Sequence, residues 1–209
     1  IMVDARCHGK SEAPRDGNST SAMADDLAGL IRALGLDRPV LAGHSMGAGY
    51  VFEAAARYPE LMRGIVLEDP VWRDMPPAPL TAEEQSARNA HWRVEFDRRR
   101  AMPREEQLRE CREQFPLWDE EIAALWTDAK ADLSPSIFAS GMLSFAPWRE
   151  VLAQVRCPIL VFTADPDKGA IVTEEAAQEA LRLYPQLERA HIPGVGHHIR
   201  FARPEPYTA

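Results

Sequence analysis

The stretch Val40-Leu41-Ala42-Gly43-His44-Ser45-Met46-Gly47-Ala48-Gly49-Tyr50 decides how the rest of the chain is read. Its opening is a short apolar run of strand length, and "AGYVFEAAARYPE" after Ser45 reads as a helix that ends before Pro59. Between them Gly43-His44-Ser45-Met46-Gly47 fits G-x-S-x-G, the pattern of a serine lifted on a sharp strand-to-helix turn. Glycines two positions to either side are expected to remove side chains that would collide there. A serine so placed is a nucleophile, provided that a base lies within hydrogen-bond reach.

Working outward, Leu27, Leu30, Ile31 and Leu34 follow Met23 at helical spacing and give an amphipathic helix stopped at Gly35. "RGIVLED" beyond the elbow helix reads as a buried strand, so the first 70 residues alternate helix and strand as a parallel α/β sheet does. Between Pro70 and Trp148 the texture becomes charged and helical. Leu108, Cys111 and Phe115 line one predicted helix face, and Ile122, Leu125, Trp126 and Ala129 another. Arg98-Arg99-Arg100 reads as a solvated face, with a substrate carboxylate as the sharper alternative. After Trp148, "CPILVFTA" and "LERAHI" are strands around the helix "TEEAAQEALRLY", with Ala177, Ala180, Leu181 and Tyr184 inward. The expected organisation is a core of residues 1–70 and 149–209, with 71–148 inserted as a helical cap proceeding from the proline-rich "MPPAPLT". Five tryptophans fall in or beside that cap, where they either pack its helices or line a pocket.

Composition narrows the function. The 209 residues carry a formal net charge of −8, which argues against nucleic acid or an anionic membrane as partner. No run of about 18 apolar residues offers a membrane span. Three scattered cysteines give neither a disulfide framework nor a zinc spacing, and imply a reduced, cytoplasmic setting; with Ile1 rather than Met at the start, an upstream signal peptide is compatible with the sequence. His8-Gly9-Lys10-Ser11 imitates the end of a phosphate loop, but the position that needs the first glycine holds Asp4, whose carboxylate would repel a phosphate.

Of six histidines, His197 in "IPGVGHHI" is the best placed base, because it follows the last predicted strand in a glycine-bordered loop. His198 beside it reads as a packing or rim residue, His44 is fixed by the elbow, and His91 and His191 read as helix and strand residues. The base needs a carboxylate to hold its tautomer, and two places offer one. Asp165-Pro166-Asp167 follows a strand and precedes His197 in the chain; Asp69 stands 24 residues after Ser45, also at a strand's carboxyl end.

Taken together, Asp4 to Ser11, the G-H-S-M-G elbow, the T-A-D-P-D loop and Gly194-Val195-Gly196-His197 resemble the α/β-hydrolase superfamily, in the group with a helical cap. The resemblance implies a mostly parallel sheet flanked by helices. It implies an acyl-enzyme on Ser45, His197 as base and Asp167 as acid, with Asp69 as the rival, since some members take the acid from the strand before the cap. The Met46 N–H would serve the oxyanion. The family's second oxyanion donor comes from a His-Gly-type loop after an early strand, so three strands are expected ahead of Asp4, and the closing helix is expected to be cut short. Asp4–Ser11 becomes a structural loop, with Cys7 where the family has a glycine. The implied substrate is a small, partly apolar ester, lactone, thioester or related carbonyl compound, with no cofactor and no metal. A non-catalytic ligand-binding relative, or an inactive fragment, is the alternative.

Overall fold

The structure is a computed structural model that describes residues 1–14, 19–73, 81–138 and 145–208. Contacts divide it into two compact units, Thr20–Met75 with Leu143–Ala209 and Ile1–Ser19 with Pro76–Met142.

The first unit contains the sheet. Four parallel strands, β1 (Val40–His44), β2 (Gly64–Glu68), β3 (Ile159–Thr163) and β4 (Leu187–His191), lie in chain order. Each expected strand is present. β2 is buried almost throughout, as a strand covered on both faces must be, whereas β1 forms an edge of this sheet and is partly exposed. Helix α1 (Thr20–Ala33) buries Met23, Ala24, Ala28 and Ile31, and stops where Gly35 takes a positive φ. There the Leu36 N–H reaches back to the Ile31 carbonyl, which satisfies an end the helix leaves open. Leu34, expected on the buried stripe, lies beyond the helix and is exposed. Helix α2 (Met46–Arg57) is buried on several sides, as its alanine-rich sequence allows.

In the core, Leu67 and Val161 on the central strands belong to one buried cluster with Val51, Ala54 and Ala55 of α2. Trp72 and Trp148 are stacked there with ring centroids 5.3 Å apart. These two tryptophans pack in the core and also line a cavity beside Gly49 and Phe52.

The register places the future site. Gly43 pairs with Leu67 and His44 with Glu68, while Glu68 pairs with Phe162 and Thr163 with His191. The carboxyl ends of all four strands therefore share one edge, where ligands bind in open α/β sheets. Tight packing at this edge explains one motif glycine. A Cβ at Gly43 would stand 2.4 Å from the Gly47 carbonyl oxygen, but a Cβ at Gly47 would meet nothing within 4 Å. The expectation that both glycines avoid collisions therefore holds only for Gly43 in this chain.

The second unit holds α3 (Ala82–Ala101), α4 (Arg104–Gln114) and α5 (Glu120–Ala131). Thr81 and Glu84 cap α3 reciprocally, a T-x-x-E signal in "TAEE". Leu108, Cys111 and Ala123 form a small core with Phe115, Trp118 and Trp126 around it. The expected face of α4 is buried, but that of α5 is rotated. Ala123 and Thr127 are inward, while Leu125 is 58% exposed. Ala123 is small enough to sit directly against α4, a preference that hydrophobic spacing alone does not reveal. The arginine run is a solvated face: Arg98 pairs with Glu95 and Glu110, and Arg99 with Glu95. Trp92 is also exposed. "MPPAPLT" lies outside the described residues apart from Thr81.

Residues 1–19 group with this helical unit and not with the sheet, so the expected core boundary at residue 1 is displaced. The Ser134 N–H donates to the Cys7 carbonyl, which ties the two segments of the unit together. Within Asp4–Ser11, the Asp4 carboxylate accepts the Lys10 N–H, and a Cβ at Gly9 would strike that carboxylate. The mouth a phosphate would need is filled from within. Cys7 has φ of 69°, the left-handed conformation that a glycine adopts most readily.

The remaining elements are α6 (Trp148–Leu152), α7 (Glu174–Leu183), α8 (Ile199–Ala202) and α9 (Pro204–Thr208). The inward face of α7 is as expected, with Ala177 and Ala180 buried and Leu181 and Tyr184 packed partly against the core. The three cysteines are buried and none is in a disulfide. Among the described residues no helix is long and apolar enough to cross a membrane.

The elbow packing gives a direct test. Gly43→Ala is expected to lower stability by about 1–3 kcal/mol through overpacking, and Gly47→Ala to stay within about 0.5 kcal/mol of the parent. Urea unfolding of the two variants measures the difference.

Candidate active site

Ser45 sits between β1 and α2 with φ 54° and ψ −116°. That conformation is strained for any residue with a Cβ, and strained backbone at a strand-to-helix turn is how a nucleophile is held clear of its sheet. Its N–H donates to the Glu68 carbonyl at 3.0 Å, which continues the β1–β2 ladder one residue past the strand end. Because Met46 is the first residue of α2, its N–H belongs to the open end of that helix.

Asp69 stands one residue beyond the end of β2. It has a positive φ of 41°, and its N–H donates to the Phe162 carbonyl. Its side chain is fully buried, and the chain supplies what a buried carboxylate requires. The N–H of Ile171 donates to both oxygens, at 3.0 and 2.8 Å, and that of Val172 to Oδ1 at 3.0 Å. The fourth contact is His197 Nδ1, 2.6 Å from Oδ2. A carboxylate only accepts, so Nδ1 carries the proton, and Nε2 of the neutral ring is left as the acceptor.

The structure thus brings Asp69 to His197, and it places Asp167 elsewhere. Asp167 is exposed on the short turn Pro166–Lys168. Asp165 is held by other partners: its Oδ2 accepts the Gly194 N–H at 2.7 Å, and its Oδ1 lies 3.2 Å from His191 Nε2. Asp165 braces the loop that carries His197, a role that the loop sequence gave no sign of.

His44 packs beside the base. Its Nε2 lies 2.8 Å from the His197 carbonyl, so this nitrogen donates. The rings of His44, His197 and His198 are mutual neighbours, with centroids 4.5, 5.1 and 4.9 Å apart. They do not form a metal-holding group; among the described residues none is found. Burial first, then the nearby His197 and Arg200, pushes the His44 imidazole down to about 3, so this ring stays neutral beside the base. Ser45 Oγ makes no hydrogen bond to His197 among the described residues, and such bonds often tighten only when substrate is bound.

A sheet with a serine elbow at one strand end and a histidine–carboxylate pair at the next is the arrangement of a hydrolase fold, and the chain belongs to the alpha/beta hydrolase family, whose model matches residues 1–209. Over 69 residues it is 48% identical to 2-(acetamidomethylene)succinate hydrolase of Mesorhizobium japonicum, a match covering 33% of this chain and 25% of that protein. It is 29% identical over 209 residues to N-formylmaleamate deformylase of Pseudomonas putida, covering 95% of this chain and 71% of the relative. Among solved structures, E-2-(acetamidomethylene)succinate hydrolase superposes with a TM-score of 0.73 at 25% identity, covering 97% of this chain and 75% of that one. An esterase from Thermogutta terrifontis with malate bound superposes at 0.72 and 28% identity, covering 98% and 75%.

The depressed His44 imidazole sets a pH dependence. The unfolded chain takes up this proton near pH 6.5, but the folded chain resists it until about pH 3. Stability linked to His44 is therefore full above pH 6.5 and is lost as pH falls toward 3. The urea midpoint of the parent should fall more steeply between pH 6.5 and pH 4 than that of His44→Gln; parallel curves would refute the assignment.

Proposed function

We propose that the chain is a serine hydrolase that works through an acyl-enzyme on Ser45. Ser45 Oγ attacks a carbonyl carbon, and His197 Nε2 accepts its proton and returns it to the leaving group. Asp69 is the acid that holds the His197 tautomer and stabilises the imidazolium. The Met46 N–H donates to the oxyanion. The observation that carries this reading is the 2.6 Å contact between His197 Nδ1 and the buried Asp69 carboxylate, at the sheet edge where Ser45 emerges.

The substrate class is a small, partly apolar ester or related carbonyl compound. Two relatives are named for a succinate and a maleamate, which brings carboxylate-bearing N-acyl compounds into that range. Acyl transfer of this kind calls on neither a metal nor a nucleotide. The partner is then a small molecule, and the acidic charge of the chain favours neither nucleic acid nor an anionic membrane.

A fluorophosphonate probe is expected to form an adduct at Ser45, mapped by peptide mass spectrometry. A preparation with a cooperative thermal melt and no adduct would sink the acyl-enzyme reading in favour of a non-catalytic ligand binder. Asp69→Asn is expected to lower kcat by about 10⁴, the scale for an imidazole left in the wrong tautomer. Asp167→Asn should leave kcat within a factor of about two, consistent with a surface change. A reversed result would return the acid role to Asp167.

A further inference from the structure

Glu68 immediately precedes Asp69 and is bonded both to Ser45 and to the segment that follows His197. It is the last residue of β2, is 1% exposed, and pairs in register with His44. Its carbonyl accepts the Ser45 N–H at 3.0 Å. Its carboxylate reaches the segment that carries the base: Oε1 accepts the Arg200 main-chain N–H at 3.1 Å, and Oε2 accepts Arg200 Nη1 at 2.6 Å. Arg200 lies three residues after His197, in α8.

Two adjacent carboxylates at the end of one strand thus grip two residues of one short segment. Asp69 holds His197, and Glu68 holds Arg200. We infer that Glu68 is a positioning residue, whose pairing with Arg200 sets the approach of the His197 imidazole to Asp69 while its carbonyl anchors Ser45.

The choice of an ion pair between a buried carboxylate and a half-buried guanidinium supports a positioning role over one of simple cohesion. An apolar pair of similar volume often stabilises a fold as well as such a pair does. Apolar contact is non-directional, however, and would leave the segment free to rock. A carboxylate that accepts from both a main-chain N–H and a guanidinium fixes both distance and angle. Burial and then the Glu68 carboxylate push the Tyr207 hydroxyl up to about 12, so this phenol keeps its proton beside the pair. Tyr207 also packs its ring on Phe162, the register partner of Glu68, with centroids 4.3 Å apart.

The inference rests on the hydrolase reading for its kinetic consequence, but not for its geometric one. The test is the double variant Glu68→Leu/Arg200→Met, which replaces the ion pair by apolar side chains without leaving either charge buried alone. It is expected to melt close to the parent. Its kcat for p-nitrophenyl acetate should fall about 10- to 100-fold, the scale for slight misplacement of reacting groups. KM should hold within a factor of about two, because uniform binding is untouched. The low-field proton resonance of the His197 Nδ1–H, which reports the short bond to Asp69, should shift or broaden.

A double variant with the parent's kcat and an unmoved resonance overturns the inference. A parent that neither hydrolyses the ester nor takes a fluorophosphonate refutes the hydrolase reading, and the resonance then decides the positioning role by itself. If the double variant does not melt cooperatively, Glu68→Gln takes its place, since it keeps the size and removes the charge that orients the guanidinium. It should move the resonance and lower kcat several-fold, and no change in either overturns the inference.

Discussion

Ser45 N–H donates to the Glu68 carbonyl and Asp69 N–H to the Phe162 carbonyl, so the parallel ladder runs one residue past the end of each strand. Those two bonds hold residues from distant parts of the chain side by side at the spacing of neighbouring strands, about 4.8 Å. The side chains that follow are consequences of that alignment. A serine and an aspartate, each one residue beyond its strand, emerge on one edge. The loop after β4 brings His197 to Asp69 there, and Asp165 fixes that loop through the Gly194 N–H.

Burial explains why Asp69 makes the contact to His197. A fully buried carboxylate must find donors, and Asp69 meets the N–H groups of Ile171 and Val172 together with the imidazole. Asp167 is exposed and under no such demand. The sequence shows which strand ends carry carboxylates, because apolar runs and their flanking residues are local features. It does not show which carboxylate faces inward, since that depends on donors from the 171–172 segment, more than 100 residues from Asp69. The signal available was the spacing of 24 residues from Ser45, which left two candidates standing.

The centre of the sheet was legible because β2 and β3 are buried on both faces and read as continuous apolar runs bounded by turns. The helical unit was less so. Among its described residues helix α3 shows no buried stripe, and it is specified by its cap and by ion pairs such as Arg93–Asp97 and Arg98–Glu95. The phase of α5 followed packing against α4 through Ala123, where a small residue and not the largest ones marks the interface. Hydrophobic periodicity ranks residues by size and polarity, and helix pairs select for close approach as well.

The site also draws on stability generated elsewhere. Ser45 and Asp69 both take positive φ, and conformations of that kind cost about 1–3 kcal/mol each. The strain is offset by packing in the core, where Leu67 of β2 and Val161 of β3 are buried in one cluster with residues of α2. His44 adds to the burden, because holding a neutral imidazole beside the base removes a proton that the unfolded chain would bind. In the proposed mechanism that neutrality has a chemical use. A charged His44 would repel an imidazolium at His197, whereas a neutral ring donating to the His197 carbonyl fixes the loop and leaves Asp69 as the charge beside the imidazole. The same burial that weakens the fold in acid therefore keeps the electrostatics around His197 simple at neutral pH.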